Sequence, residues 1–255
     1  VTTDEVDAPR GHHEKPCTVE GINRRDTPPN LMLEGVVGSV AYGLDTPTSD
    51  IDYAGIHVEP TANLLGLHPP ARERATEKGR GDADAVYHEI GKAMALMLSC
   101  NPTASEVLWL ENYTVTTPFG EELIGLRRHF LSAKRVRDAF FGYATSQFRR
   151  LVERGRFAGS PDARREKHAR HTMRLLYQGY ELYTTGSLPV RIPDPAPYFA
   201  FGAQVRDDPQ AVSVKALIAE YEDKFDRART VLPDRPNEAP LEDFLQRVRF
   251  AHYQR

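Results

Sequence analysis

The stretch Leu31-Met32-Leu33-Glu34-Gly35-Val36-Val37-Gly38-Ser39, followed by Ser49-Asp50-Ile51-Asp52-Tyr53-Ala54-Gly55-Ile56, decides the reading of this chain. Residues 31–37 are a short apolar run fit for a buried strand. Gly38-Ser39 then leads into Val40-Ala41-Tyr42-Gly43, and Asp45-Thr46-Pro47-Thr48-Ser49 is a turn cluster. Ile51 to Val58 has the composition of a second strand, ended by Pro60. A Gly-Ser step after a strand can open a helix whose backbone N–H groups face an anion. Glycine allows close approach to a phosphate, and the serine hydroxyl adds a donor. Asp50 and Asp52 are one residue apart, so on a strand they share a face. Two carboxylates that close repel and are hard to keep ionised without a cation. A divalent metal resolves the conflict, and Mg²⁺ prefers oxygen ligands. Each feature alone is common. A lone Asp-x-Asp is usually a solvated turn or strand edge. The succession of strand, Gly-Ser, turn and Asp-x-Asp strand is what points to phosphate and metal chemistry.

Bulk properties set the frame. The chain has 255 residues, 40% hydrophobic and 27% charged, with net charge −3. That length allows one large domain or two small ones with a substantial core. The composition is that of an ordinary soluble globular protein. The net charge excludes an overall basic nucleic-acid binder, so any such role must rest on a local patch. No apolar run approaches the roughly 20 residues that span a bilayer. Residues 1–10 lack an apolar signal-peptide core. The expectation is a cytoplasmic protein without membrane contact. Neither Cys17 nor Cys100 stands in a CxxC spacing, and Cys100 reads as a small core residue.

The chain divides into three zones. Residues 1–28 are polar and aperiodic and read as a disordered tail, with His12 and His13 as bystanders. Residues 29–118 look α/β. A third strand or strand-to-helix entry is expected at Asp84-Ala85-Val86-Tyr87, a buried helix over Ile90 to Leu98, and loop over the charged stretch 70–82. Residues 119–255 read as mainly helical. Their helices are expected over Glu121 to Phe130, Ala133 to Leu151, Glu166 to Tyr183, Val212 to Thr230 and Leu241 to Tyr253, with a Pro-rich loop at 189–198.

Gly38-Ser39 with Asp50-Ile51-Asp52 resembles the signature of the DNA polymerase beta nucleotidyltransferase superfamily. The longer string Gly38-Ser39-Val40-Ala41-Tyr42-Gly43-Leu44, with Thr46-Pro47-Thr48-Ser49-Asp50-Ile51-Asp52, is more specific. It is similar to the nucleotidyltransferases called RlaP, an RNA-ligase-associated group also labelled YcgL-like. Three later segments fit the same family: Tyr87 to Lys92 leading to Asn101-Pro102 and Glu106-Val107-Leu108; Lys167-His168-Ala169 with His171 and Arg174-Leu175-Leu176; and Thr185-Gly186. The resemblance implies an α+β fold, a small mixed sheet with helices on one face followed by a mainly helical domain. It implies Mg²⁺ (or Mn²⁺) and a nucleoside triphosphate substrate. It also implies a third carboxylate beside Asp50 and Asp52. Asp84 is the choice, since a strand can continue from it, with Asp82 and Glu89 as rivals. One departure is Val40, where the family often has Arg.

Charge distribution adds a separate clue. Arg127, Arg128, Lys134, Arg135, Arg137, Arg149, Arg150, Arg154 and Arg156 face only Asp138 and Glu153 as opposing charges, and Arg164, Arg165, Lys167, Arg170 and Arg174 follow. Such a basic helical face could bind triphosphate or an RNA backbone, or could be a solvated helix surface. Lys167, His171 and Arg174 lie at i, i+4 and i+7 on one helical face, a stripe suited to clamping phosphates. The nucleotide-binding set is therefore Gly38, Ser39, Tyr42, Ser49, Lys167, His171 and Arg174. The catalytic and metal set is Asp50, Asp52 and Asp84. The expected reaction moves a nucleoside monophosphate from a triphosphate to a hydroxyl, best an RNA 3′ end by family association with RNA repair. A small molecule such as an aminoglycoside, or a protein hydroxyl, is the alternative acceptor. A non-catalytic nucleotide-binding module is the alternative class.

Overall fold

A computed structural model describes residues 28, 30–70, 76–78, 84–152, 161–208 and 210–253. Apart from Pro28, the expected tail lies outside the described residues, with His12, His13 and Cys17. So do Asp82, Arg154 and Arg156. The fold is α+β: a small mixed sheet and a large helical region.

The apolar run Leu31–Val37 is strand β1, and Asp52–His57 is β2. Between them Gly38–Tyr42 forms a five-residue helix, α1. A short helix α2, Thr61–Leu64, and strand β3, Thr76–Lys78, precede β4, Ala85–Glu89. The sheet order is β3-β4-β2-β1-β5, where β5 is Val115–Thr116. β1 runs antiparallel to β2 and β5, β2 parallel to β4, and β3 antiparallel to β4. β3 falls in the charged stretch read as loop. Its edge position explains the miss, because an edge strand can be polar and short. β1 carries a buried charge in mid-strand: Glu34 accepts hydrogen bonds from Tyr87 Oη (2.7 Å) and Thr114 Oγ1 (2.6 Å).

Ile90–Leu98 is helix α3, as its length and all-round apolarity suggest. Asn101 then breaks the path by capping the next helix, α4 (Pro102–Ser105). Its side chain accepts from the N–H groups of Thr103 and Ala104, and Pro102 occupies the first turn, where no N–H is needed. A 3₁₀ turn at Glu106–Trp109 follows, then α5 at Pro118–Gly125 and a second 3₁₀ turn at Arg127–Phe130. The long helices α6 (Ala133–Val152) and α7 (Pro161–Thr185) pack against each other. α8 (Ala196–Arg206), α9 (Val212–Arg227) and α10 (Glu238–Ala251) complete the chain. The expected loop at 189–198 thus gives way to helix from residue 196. Pro197 sits in the first turn of α8, where proline starts rather than breaks a helix.

Two main cores result. One gathers Leu33, Ile56, Ile90, Met97 and Leu108 with Leu123 of α5 and Leu241, Phe244 and Val248 of α10. The last helix therefore returns to the sheet. The other joins Val136 and Phe140 of α6, Leu175 and Leu176 of α7 and Phe225 of α9, with Cys100 buried among them. A third, smaller cluster lies around Tyr42, Leu44, Val190, Ile192 and Tyr198. Trp109 packs against all three, as a core residue would. Phe244 is fully buried and Phe250, on the same helix, is 86% exposed. Phe244→Ala should therefore cost about 3–5 kcal/mol in urea denaturation and Phe250→Ser less than about 0.5 kcal/mol. Equal small losses would show that α10 does not share the sheet's core.

Candidate active site

The β1–β2 register places Val37 opposite Asp52, so the Gly-Ser step leaves the sheet beside the Asp-x-Asp strand. Gly38 has φ +72°, a left-handed conformation that side chains resist. A Cβ on Gly38 would collide with the Asp52 carboxylate, whose Cγ would lie 3.2 Å from it. The left-handed turn favours glycine here, and any larger residue would also push the Asp52 carboxylate aside. Gly43 (φ +69°) closes α1, with its N–H 3.1 Å from Val40 O, and the Leu44 N–H lies 2.9 Å from Ser39 O.

Asp84 comes into place through the neighbouring strand. β2 and β4 pair in parallel with Tyr53 opposite Ala85, and the Tyr53 N–H donates to Asp84 O at 2.8 Å. Asp52 and Asp84 therefore stand at the adjoining ends of neighbouring strands. Partial burial pushes the Asp52 carboxyl up, and the charge of Asp84 and then of Asp50 adds to that push; Lys167 opposes it. Asp50 and Asp84 are exposed. Glu89, the rival third carboxylate, is committed elsewhere: it caps α3 through Gly91 N (2.8 Å) and pairs with Arg249. A cavity of about 340 Å³ opens at this point and is lined by Gly38, Asp52, Asp84, His88, Thr103 and Glu106, among others.

The other expected nucleotide contacts fall into two groups. Gly38 lines the carboxylate end of the cleft, Ser39 follows it half-buried on α1, and exposed Lys167 is near enough for its charge to pull on the Asp52 carboxyl. The Ser49 hydroxyl is used inside its own turn, accepting from the Thr46 N–H at 2.9 Å. Tyr42, expected at the nucleotide, lines the cavity but is largely buried, and its hydroxyl donates to both Glu106 carboxylate oxygens (3.0 and 2.8 Å). Arg174 is buried too. Its guanidinium lies 3.8 Å over the Tyr42 ring, pairs with Glu106 at 3.7 Å and donates to Gln178 Oε1 at 2.7 Å. His171 meets the Tyr42 ring edge-on at 6.3 Å. Burial, then the charges of Arg174 and Lys167, hold His171 well below its usual range, so it is neutral near pH 7. The helical spacing correctly put these three residues on one stripe, but depth along α7 separates their roles.

Much of the basic face is also engaged within the chain. Arg137 pairs with Asp226 and Lys134 with Asp138, while Arg165 donates to the backbone at Val205 and Asp208. Arg127 stacks over Trp109 at 4.6 Å and Arg170 over Phe199 at 4.9 Å.

Two residues beside α1 were not among the expected site residues. Arg191 is exposed and lies across Gly43, its Cζ 3.7 Å from where a Cβ would project. Glu106 opens the apolar run Val107-Leu108-Trp109-Leu110 as Glu111 closes it, so nothing local distinguishes the buried carboxyl from the exposed one. Burial pushes its carboxyl up to about 7, against the pull of Arg174 and the Tyr42 hydroxyl.

Asp50 precedes the strand and only Asp52 stands on β2, so the expected shared strand face is not formed. A Gly-Ser turn beside an Asp-x-Asp step whose second aspartate opens a strand, on a small mixed sheet joined to helices, is the arrangement of polymerase beta-like nucleotidyltransferases. The chain belongs to the RlaP family, the RNA repair pathway DNA polymerase beta family, whose model matches residues 14–234. A search of curated proteins finds no match to it.

Two stability measurements check this geometry. Gly38→Ala should cost about 1–3 kcal/mol through the forced left-handed conformation and the collision with Asp52; a melting temperature equal to wild type would show an unconstrained turn. The Glu106 carboxyl is raised on folding from 4.5 to about 7, so it binds its proton more tightly folded than unfolded. Its contribution to stability is complete below 4.5 and is lost as pH rises through about 7. Between about pH 5 and pH 8 the wild type should lose up to about 3 kcal/mol relative to Glu106→Gln. Urea denaturation at stepped pH reads this, and parallel stability profiles would contradict it.

Proposed function

We propose that this protein transfers a nucleoside monophosphate from a nucleoside triphosphate to the 3′ hydroxyl of an RNA, as a step in RNA repair. The observation that carries the reading is the convergence of Gly38, Asp52 and Asp84 at the ends of neighbouring strands, with the Lys167 charge acting on Asp52. The family's place in an RNA repair pathway supports RNA as the acceptor.

A divalent cation fits the donor set. Asp50, Asp52 and Asp84 offer the hard carboxylate oxygens that Mg²⁺ or Mn²⁺ takes. The upward push on Asp52 from burial and from its two acidic neighbours is the conflict that a cation relieves. Among the described residues no group of three His, Cys, Asp or Glu side chains already sits at metal-ligand spacing. Bound there, the ion would polarise the α-phosphate.

The chain's own residues do the rest. The Gly38 backbone and the Ser39 hydroxyl hold the β- and γ-phosphates. Lys167 offsets their negative charge from the facing helix. Asp84 accepts the proton of the attacking hydroxyl. The new bond forms between that oxygen and the α-phosphorus as the bond to pyrophosphate breaks, and pyrophosphate leaves with its electron pair.

Incubation with each α-³²P nucleoside triphosphate, Mg²⁺ or Mn²⁺, and either mixed tRNA or an aminoglycoside tests this. Label should pass to RNA and not to the aminoglycoside. Asp52→Asn should abolish it, and Asp84→Asn should slow it by about 10²–10⁴-fold. Lys167→Ala should raise the KM for triphosphate about tenfold. Wild-type protein that labels neither acceptor and shows no metal-dependent triphosphate binding by calorimetry would refute the reading.

A further inference from the structure

Tyr42 ends the five-residue helix that Gly38 and Ser39 begin. Whatever fixes Tyr42 therefore fixes the turn proposed to grip phosphate. The groups that fix it come from distant parts of the chain. Glu106, in the 3₁₀ turn after α4, accepts its hydroxyl at 2.8 Å. Arg174 of α7 covers its ring at 3.8 Å and pairs with Glu106. Gln178, one turn further on, accepts from Arg174 and donates to Pro189 O (2.9 Å) and Val190 O (3.0 Å). The same loop returns to α1, where the Ile192 N–H donates to Tyr42 O at 3.0 Å. Tyr42, Glu106, Arg174 and Gln178 are all at most 4% exposed.

Stability alone does not account for this choice of residues. Burying a carboxylate and a guanidinium costs several kcal/mol each, and an apolar set of the same volume is often as stable or more so. A buried ionic set pairs its groups in few arrangements, which suits it to registration; here the pairing runs through Arg174 Nη1, and Nε is left without a partner among the described residues. Its two ends matter here. One is α1, and the other is α7, which carries Lys167 two turns before Arg174.

We propose that Glu106, acting through Tyr42, is a positioning residue for nucleotidyl transfer: with Arg174 it locks the Gly38-Ser39 turn to the helix that carries Lys167. The phosphate grip and its opposing cation then hold one separation. The assignment rests on the function proposed above.

The experiment pairs amide hydrogen exchange with steady-state kinetics on Tyr42→Phe, Glu106→Ala and Glu106→Gln. The Gly43 and Leu44 amides close α1 and report on its order. In Tyr42→Phe and Glu106→Ala they should exchange about tenfold faster or more, the loss of one buried hydrogen bond, while α3 and α10 keep wild-type rates. The KM for triphosphate should rise about tenfold in both, with kcat changed far less. Glu106→Gln keeps an oxygen for the Tyr42 hydroxyl and should restore most of both readouts. Unchanged exchange at Gly43 and Leu44 in Tyr42→Phe overturns the proposal. So does acceleration spread evenly through α3 and α10, which marks general loosening. Localised acceleration in a protein that transfers no nucleotide would remove the function while leaving the lock in place.

Discussion

The antiparallel pairing of Leu31–Val37 with Asp52–His57 puts Val37 opposite Asp52, and the site is organised by that register. A slip of one residue would turn Asp52 to the other face of the sheet. The register is held from both faces: Leu33 and Ile56 are buried in the sheet's core, and Glu34, one residue from Leu33, is buried with its carboxylate bonded to Tyr87 and Thr114. A slipped strand would expose the first pair and leave the Glu34 charge buried without partners, a cost of several kcal/mol. Gly38 shows how close the result is, since a Cβ there would displace the Asp52 carboxylate.

The parallel neighbour β4 then brings Asp84 to the same end, and the helical half brings Lys167. These charges belong to segments far apart in sequence, so their spacing depends on how the sheet and α7 are joined. The Tyr42–Glu106–Arg174 set is that joint, with Trp109 packed against the three clusters around it. Polar groups at the joint tolerate little rearrangement, whereas an apolar interface of that size could repack.

Particular residues show how much was legible beforehand. Residues 31–37, Gly38-Ser39 and Ile90–Leu98 announce their elements through apolar run length and glycine placement, and the structure has them at those positions. β3, β5 and α8 carried no such signal. Two are very short strands at the sheet edges, and the third begins in a Pro-rich stretch that composition alone reads as loop. The stripe of Lys167, His171 and Arg174 was visible from its spacing. Spacing says which side of a helix a residue lies on, but not how far along that side the rest of the protein closes over it. Lys167 remains exposed, while His171 is neutral and Arg174 is sealed against Glu106. The basic face shows the same limit, because Arg137 and Arg165 bond to distant segments and Arg170 stacks on Phe199, partners that only folding supplies.

The sequence by itself determined the local chemistry: an apolar strand running into Gly38-Ser39, a turn, and an Asp50-Ile51-Asp52 step entering a second strand. Those are properties of neighbours along the chain, where periodicity and residue type suffice. Tertiary structure decided which distant groups join them. It set Asp84 at the strand end beside Asp52, tied Glu89 to Arg249, left Lys167 exposed, and buried Arg174 in an ion pair with Glu106 whose carboxylate also accepts the Tyr42 hydroxyl. Each of those outcomes depends on strand register and helix depth, which arise from packing between segments and are not written in any one of them.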